Sequence, residues 1–193
     1  MTLTVDAEKH QYRINGTRAP SITDCLRLAG MSDLRFVDEH GMWIGTATHR
    51  AIELYVKDRL NEETLDAELV PRLNAWKKFQ AATGFQVVDS EHPVYSETLG
   101  VAGTLDLVGL FPDGTEGIVE IKSGNIMPWT AIQTAAQDLL LGGKRRKRFG
   151  LKVPKTGSPS VKPFTDENDY NVFIAAVTVA LWKIRVQKTW GGT

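Results

Sequence analysis

Hydrophobic residues recur along this chain at two spacings, and each spacing predicts a different kind of element. Apolar positions three or four residues apart predict helices over residues 21–30, 45–60, 62–83, 128–141 and 166–188. Apolar runs and alternating positions, bounded by Gly, Pro, Asn or Asp, predict strands over residues 4–14, 85–94, 101–110, 117–123, 149–153 and 160–164. The central order is therefore helices, three strands that look antiparallel, and another helix.

The composition narrows the classes of protein that fit this pattern. Of the 193 residues, 42% are hydrophobic and 24% are charged, which favours one folded domain over a disordered chain. The net charge is +0 and the pI is about 6.9, so the overall charge does not indicate a nucleic-acid binder. Any such partner would have to be held by local patches of charge.

Cysteine content and apolar runs bear on the compartment. The single cysteine, Cys25, excludes an intrachain disulfide, a cysteine-based structural zinc site and a four-cysteine iron–sulfur cluster. The first residues lack the pattern of a signal peptide, and no apolar run approaches membrane-spanning length. We therefore expect a cytoplasmic protein with no membrane partner.

Charged residues interrupt two of the central strands. Asp106 lies in the second of the three, while Glu120 and Lys122 share one face of the third, because strand side chains alternate. Buried charge is unfavourable unless it is paired or binds a metal. One interpretation is a surface hairpin with a cross-strand ion pair. The other is a Mg²⁺ or Mn²⁺ site with both carboxylates and the carbonyl of Ile121 as ligands, assisted by the lysine.

Two further features fit either a structural or a functional role. His49 and Glu53 share one face of a predicted helix, although a lone helical histidine is more often a partly buried side chain than a ligand.

The basic run 144–148 predicts either a solvated loop or contact with DNA phosphates. Trp43 and Trp129 could stack on a base or be buried. Other cations that could extend a DNA-binding surface are Arg35, Arg50, Lys152 and Lys155.

These segments together resemble the PD-(D/E)XK nuclease superfamily, and most closely its RecB-type exonuclease branch. The resemblance rests on Gly103–Val108, on Val119–Gly124, on Trp129 with Ile132–Ala136, and on a Gly-x-x-x-His-x-x-x-Glu pattern over Gly45–Glu53. Phage recombination exonucleases and the mitochondrial genome maintenance exonuclease are similar in size and layout. The likeness implies an α/β (α+β) fold with a restriction-endonuclease-like core, in which a mixed central β-sheet is flanked by helices. It also implies a single domain over residues 1–193, with a core over about 45–141 that strands and a helix over 145–190 complete.

The resemblance and the charge pattern assign a role to each candidate site residue. The catalytic residues are expected to be Asp106, Glu120, Lys122 and Gln133. The metal ligands are expected to be His49, Asp106, Glu120 and the carbonyl of Ile121. The outer carboxylates that support those ligands are expected to be Glu53 and Glu91. The DNA contacts are expected to be Arg50, Ser123, Trp129, Lys144, Arg145, Arg146 and Arg148.

The activity that the resemblance implies is hydrolysis of DNA phosphodiester bonds with Mg²⁺ or Mn²⁺, by a phage-type exonuclease in recombination, repair or replication. Its partners would be linear duplex or single-stranded DNA ends, with a recombination or single-strand-binding protein as an additional candidate. A structure-selective or nicking endonuclease and a non-catalytic binding module are the alternatives. The chain departs from the family pattern at Gln137, where the family has tyrosine four positions after the glutamine.

Overall fold

The computed structural model describes residues 1–6, 11–32 and 38–190 of the chain. Its strands are β1 (Leu3–Asp6), β2 (Gln11–Ile14), β3 (Thr17–Ala19), β4 (Gln86–Ser96), β5 (Val101–Leu110), β6 (Glu116–Lys122), β7 (Lys147–Lys152) and β8 (Ser160–Phe164). Its α-helices are α1 (Ile22–Leu28), α2 (Glu39–Val56), α3 (Val70–Thr83), α4 (Trp129–Leu140) and α5 (Asn168–Trp190).

Five strands form the central sheet, in the order β4-β5-β6-β7-β8. Strands β6 and β7 are parallel, and every other neighbouring pair is antiparallel. The parallel pair requires a crossover connection, which helix α4 provides. The sheet is therefore mixed, as predicted.

Helices cover both faces of this sheet. One buried cluster joins α1, α4 and α5 to the sheet through residues such as Leu105 and Ile118. A second cluster joins α2 and α3 to the opposite face through Leu107, Val119 and Ile121. The neighbours Ile118 and Val119 point to different clusters, as the strand period of two requires. The predicted architecture of a sheet flanked by helices is confirmed.

The N-terminal strands form a separate antiparallel sheet in the order β1-β2-β3. Tyr12 anchors it to the central sheet, because its hydroxyl lies 2.8 Å from Thr104 Oγ1. Helix α1 then begins with a reciprocal cap, in which the Ser21 hydroxyl accepts from Asp24 N and the Asp24 carboxylate accepts from Ser21 N.

Two predicted helices have different bounds in the structure. Helix α2 begins at Glu39 rather than at residue 45, with Asp38 as its N-cap. Helix α3 begins at Val70, because Pro71 fits only the first turn of a helix, and a 3₁₀ turn over Glu62–Thr64 precedes it. Within the described part of the chain, no helix combines the length and apolarity needed to cross a membrane.

Candidate active site

Three side chains from separate elements meet on the central sheet, near the middle of β4 and β5. His49 comes from α2, Glu91 from β4 and Asp106 from β5. Nδ1 of His49 lies 3.3 Å from Oδ1 of Asp106 and 3.5 Å from Oε1 of Glu91. One ligand atom from each residue lies within 4.8 Å of the others. One imidazole nitrogen and two carboxylate oxygens form a donor set that divalent transition metals and Mg²⁺ can share.

The backbone at Glu91 is unusual for a residue in a strand. Its φ angle is +51°, in the left-handed region that a non-glycine residue rarely adopts. The pairs Ser90↔Leu107 and His92↔Leu105 flank it, so Glu91 faces Asp106 across the ladder. Such a conformation is unfavourable by about 1–3 kcal/mol and is concentrated at functional sites. At this strained position the Glu91 carboxylate lies 3.5 Å from Nδ1 of His49.

Asp106 is held by the neighbouring strand. The ladder between β5 and β6 reaches Leu107↔Val119 and does not continue to Asp106 and Glu120. Beyond that point Oδ2 of Asp106 accepts a hydrogen bond of 2.7 Å from Ile121 N, in place of a backbone carbonyl. This bond fixes the carboxylate of Asp106 and leaves Oδ1 facing His49.

Glu120 lies in an adjoining network on the side of α4. Its Oε1 accepts from Lys122 Nζ at 2.8 Å and from Gln133 Nε2 at 2.7 Å. Its Oε2 accepts from Gln137 Nε2 at 2.7 Å. The residue is only 2% exposed, so these donors replace the water that a carboxylate needs.

The charge of Asp106 shifts pKa values in both the His49–Glu91–Asp106 cluster and the Glu120 network. Burial and the charge of Asp106 raise the pKa of Glu120, although Lys122 opposes the shift. Burial alone would lower the pKa of Lys122, but Glu120 and Asp106 outweigh it and raise that pKa above its ordinary value. Burial would likewise lower the pKa of His49, but Asp106 and Glu91 raise it well above its ordinary value. Without a metal, the cations of this site are therefore the histidine and the lysine.

No protein-family model matches this sequence, and no curated protein does. A candidate exonuclease from Eubacterium rectale is similar in structure, with a TM-score of 0.55 and 10% identity, over 89% of this chain and 81% of that one. The chain therefore shares the fold of that exonuclease, a mixed sheet flanked by helices. An alkaline exonuclease from Laribacter hongkongensis is also similar, with a TM-score of 0.43 and 16% identity, over 72% of this chain and 87% of its own. Its complex with dAMP matches with a TM-score of 0.45, over 88% and 89% of the two chains.

Within this fold, the expected ligand set is divided between two clusters. His49 and Asp106, two of the expected ligands, lie together, and Glu91 offers a third ligand atom beside them. Glu120 lies in the network with Lys122 and Gln133 instead. Ile121 is tied to the site through its N–H. The position of Glu91 opposite Asp106 follows from the register of β4 and β5.

Glu53 is paired with cations on its own helix, whereas it was expected to support His49. Its carboxylate is paired with Arg50 at 2.6 Å and with Lys57 at 2.8 Å, since these cations are three and four residues away on the same helix. Those bonds lower the pKa of Glu53 against the opposing effect of burial. Lys57 Nζ also lies 3.4 Å from Ser90 O, so the group ties α2 to β4 beside Glu91.

The basic run 144–148 is neutralised within the fold. Every cation of the run lies within 4.0 Å of a carboxylate, in the pairs Lys144–Glu116, Arg145–Glu167, Arg146–Asp138, Lys147–Asp113 and Arg148–Asp169. The side chains of Arg146 and Arg148 are only 7% and 2% exposed, so these two guanidinium groups are not accessible to DNA. The side chains of Lys144 and Arg145 are 65% and 53% exposed and remain accessible to DNA.

Two further residues predicted to contact DNA lie beside Lys122 in the Glu120 network. The Trp129 ring centroid is 4.9 Å from Lys122 Nζ, so the indole adjoins the site. Ser123 follows Lys122, and its carbonyl accepts a hydrogen bond from the buried Arg72. Sequence analysis did not identify Arg72, which also donates to Val153 O and so fixes the ends of β6 and β7. Arg35 lies outside the described residues.

Proposed function

We propose that this protein is a deoxyribonuclease that requires a divalent metal and hydrolyses DNA from its ends. The observation that carries the proposal is the cluster of His49, Glu91 and Asp106 beside the Glu120–Lys122 pair. Two carboxylates and an imidazole within 4.8 Å are a donor set that fits Mg²⁺ or Mn²⁺. The nuclease fold supports the same class of reaction.

The metal, when bound, would polarise the scissile phosphate and lower the pKa of an attacking water. His49, Glu91 and Asp106 would hold it, and Glu120 is the adjoining carboxylate that would complete the site. The roles of the remaining residues follow from their own charges and contacts.

Lys122 is suited to act as a cation rather than as a base. Its pKa is raised by Glu120 and Asp106, so it keeps its proton at neutral pH. An ammonium group can donate to a phosphate oxygen and stabilise the charge that develops there. Glu120 fixes that ammonium at 2.8 Å, and Trp129 lies against it. We assign to Trp129 a stacking contact with a base beside the scissile phosphate.

An enzyme of this kind would process DNA ends in recombination, repair or replication, as phage-type exonucleases do. Ser123, Arg50, Lys144 and Arg145 are the proposed contacts to the DNA backbone, since the side chains of the last three are more than half exposed.

The test is digestion of end-labelled linear duplex and of closed circular DNA with Mg²⁺, Mn²⁺ or EDTA. We expect loss of nucleotides from linear ends only, and only with metal. Asp106→Asn should abolish cleavage while the protein remains folded, because it removes the shared carboxylate. Asp113→Asn is the matched control on the exposed turn of the same hairpin and should cleave like the wild type.

Cleavage of closed circles would instead identify an endonuclease. Metal-dependent cleavage by Asp106→Asn would refute the assignment of the site. A wild-type protein that cuts neither substrate would refute the nuclease proposal itself.

A further inference from the structure

Gln137 is buried within the catalytic network at the position where the family pattern has tyrosine. It lies one helical turn after Gln133 on α4, so both amides face the same strand. Gln137 is 0% exposed, and its Nε2 donates a hydrogen bond of 2.7 Å to Glu120 Oε2. Among the described residues, no other group donates to that oxygen.

The two oxygens of Glu120 are held unequally. Oε1 has two donors, Lys122 and Gln133, whereas Oε2 depends on Gln137 alone. The last torsion of a glutamate side chain is broad and soft. Without Gln137 the carboxylate could therefore pivot about Oε1, and the like charge of Asp106 would favour its turning away.

The carbonyl oxygen of the Gln137 side chain indicates why an amide is present at this position. This Oε1 is buried and has no hydrogen-bond partner among the described residues. An unsatisfied buried acceptor is unfavourable, and an apolar side chain of the same size would avoid it. Packing alone therefore does not explain a glutamine here, whereas donation to Glu120 does.

We propose that Gln137 is a positioning residue that fixes the orientation of the Glu120 carboxylate for metal binding and turnover. The inference rests on the proposed nuclease function. It gives the glutamine a role that the family's tyrosine does not predict, since it acts as a second amide donor beside Gln133.

The experiment compares Gln137→Met in the wild-type and Glu120→Ala backgrounds, with Mn²⁺ binding measured by calorimetry. In the wild-type background we expect Mn²⁺ to bind about 10-fold to 100-fold more weakly, as is usual when a group that orients a ligand is lost. The KM for duplex DNA should stay unchanged. In the Glu120→Ala background, where binding relies on His49, Glu91 and Asp106, Gln137→Met should have no further effect.

Gln80→Met is the matched control, because that amide on α3 donates to Phe85 O, away from the site. It should bind Mn²⁺ like the wild type. Gln137→Leu is a second apolar variant, which also removes the donor and should weaken binding by the same amount. It decides the question if Gln137→Met does not fold.

An equal loss in both backgrounds would show that Gln137 acts through packing and would overturn the inference. Unchanged Mn²⁺ affinity and turnover in both variants, with an active wild type, would overturn this inference alone. A wild type that neither binds Mn²⁺ nor cleaves DNA would overturn the nuclease function as well.

Discussion

Replacing Arg148 by Met tests whether the basic run serves the fold or the substrate. The guanidinium is 2% exposed and makes three hydrogen bonds, to Ala131 O at 2.8 Å, to Asp166 O at 2.8 Å and to Asp169 Oδ2 at 3.0 Å. These bonds join the start of β7 to α4 and to the start of α5. Met retains much of the apolar volume and removes all three bonds.

The loss of stability in Arg148→Met can be estimated from the burial of the ion pair. Removing one partner of a buried pair is unfavourable by about 3–5 kcal/mol. The Asp169 side chain is 15% exposed and keeps some contact with water, so we take the lower end, about 3 kcal/mol. For a chain of this length, a change of about 1 kcal/mol shifts Tm by about 2–4 °C, which gives a decrease of about 6–12 °C. DNA affinity below the melting temperature should not change, because this guanidinium does not reach the surface.

The assay is thermal unfolding followed by circular dichroism, with DNA binding measured by fluorescence anisotropy at 15 °C. Lys144→Met is the control from the same run. Its side chain is 65% exposed and 3.4 Å from Glu116, so the change in stability should be at most about 0.5 kcal/mol. The reasoning is refuted if Arg148→Met melts like the wild type and loses DNA affinity, since the arginine would then contact phosphate.

Three further outcomes follow from the site and the core. Glu91→Gln should weaken Mn²⁺ binding at least about 10-fold in calorimetry, while Glu97→Gln on the exposed turn should not; equal affinities would remove Glu91 from the ligands. Because the pKa of His49 is raised well above its ordinary value, Mn²⁺ binding at pH 7 should release about one proton, and heats that do not vary with the buffer would contradict this. Burial and the charge of Asp24 raise the pKa of the Cys25 thiol from 9.0 to about 12, so it should not react with thiol reagents at pH 8 until the protein unfolds. The pKa of this thiol is higher in the folded than in the unfolded state. The contribution of Cys25 to stability is therefore present below pH 9 and is lost as the pH rises toward 12.

The sequence predicted most of the fold because its periodicity is local information. Apolar strands with a charge in the middle predicted β5 and β6, and the charged positions led to Asp106 and Glu120. What periodicity could not show is the end of the β5–β6 ladder at Leu107↔Val119, beyond which Asp106 bonds to Ile121 N. Where paired strands stop pairing depends on tertiary packing.

The roles of charged residues were harder to predict, because distant residues supply their partners. The run 144–148 looked like a surface for DNA until the fold placed Asp138 and Asp169 against Arg146 and Arg148. Glu91 was expected to support the metal ligands from outside. The strand register places it opposite Asp106, in a left-handed backbone conformation that no pattern of residue types predicts for a glutamate.

In the proposed site, Asp106 would link metal binding to the state of Glu120. One of its oxygens faces His49, the other accepts from the strand that carries Glu120, and its charge contributes to the raised pKa of Glu120. A divalent cation held beside Asp106 would offset that charge and lower the pKa of Glu120 again. A lower pKa would favour the ionised form of Glu120, whose Oε1 accepts from Lys122 Nζ at 2.8 Å. The same carboxylate that holds the metal would thus keep the lysine in position for the phosphate.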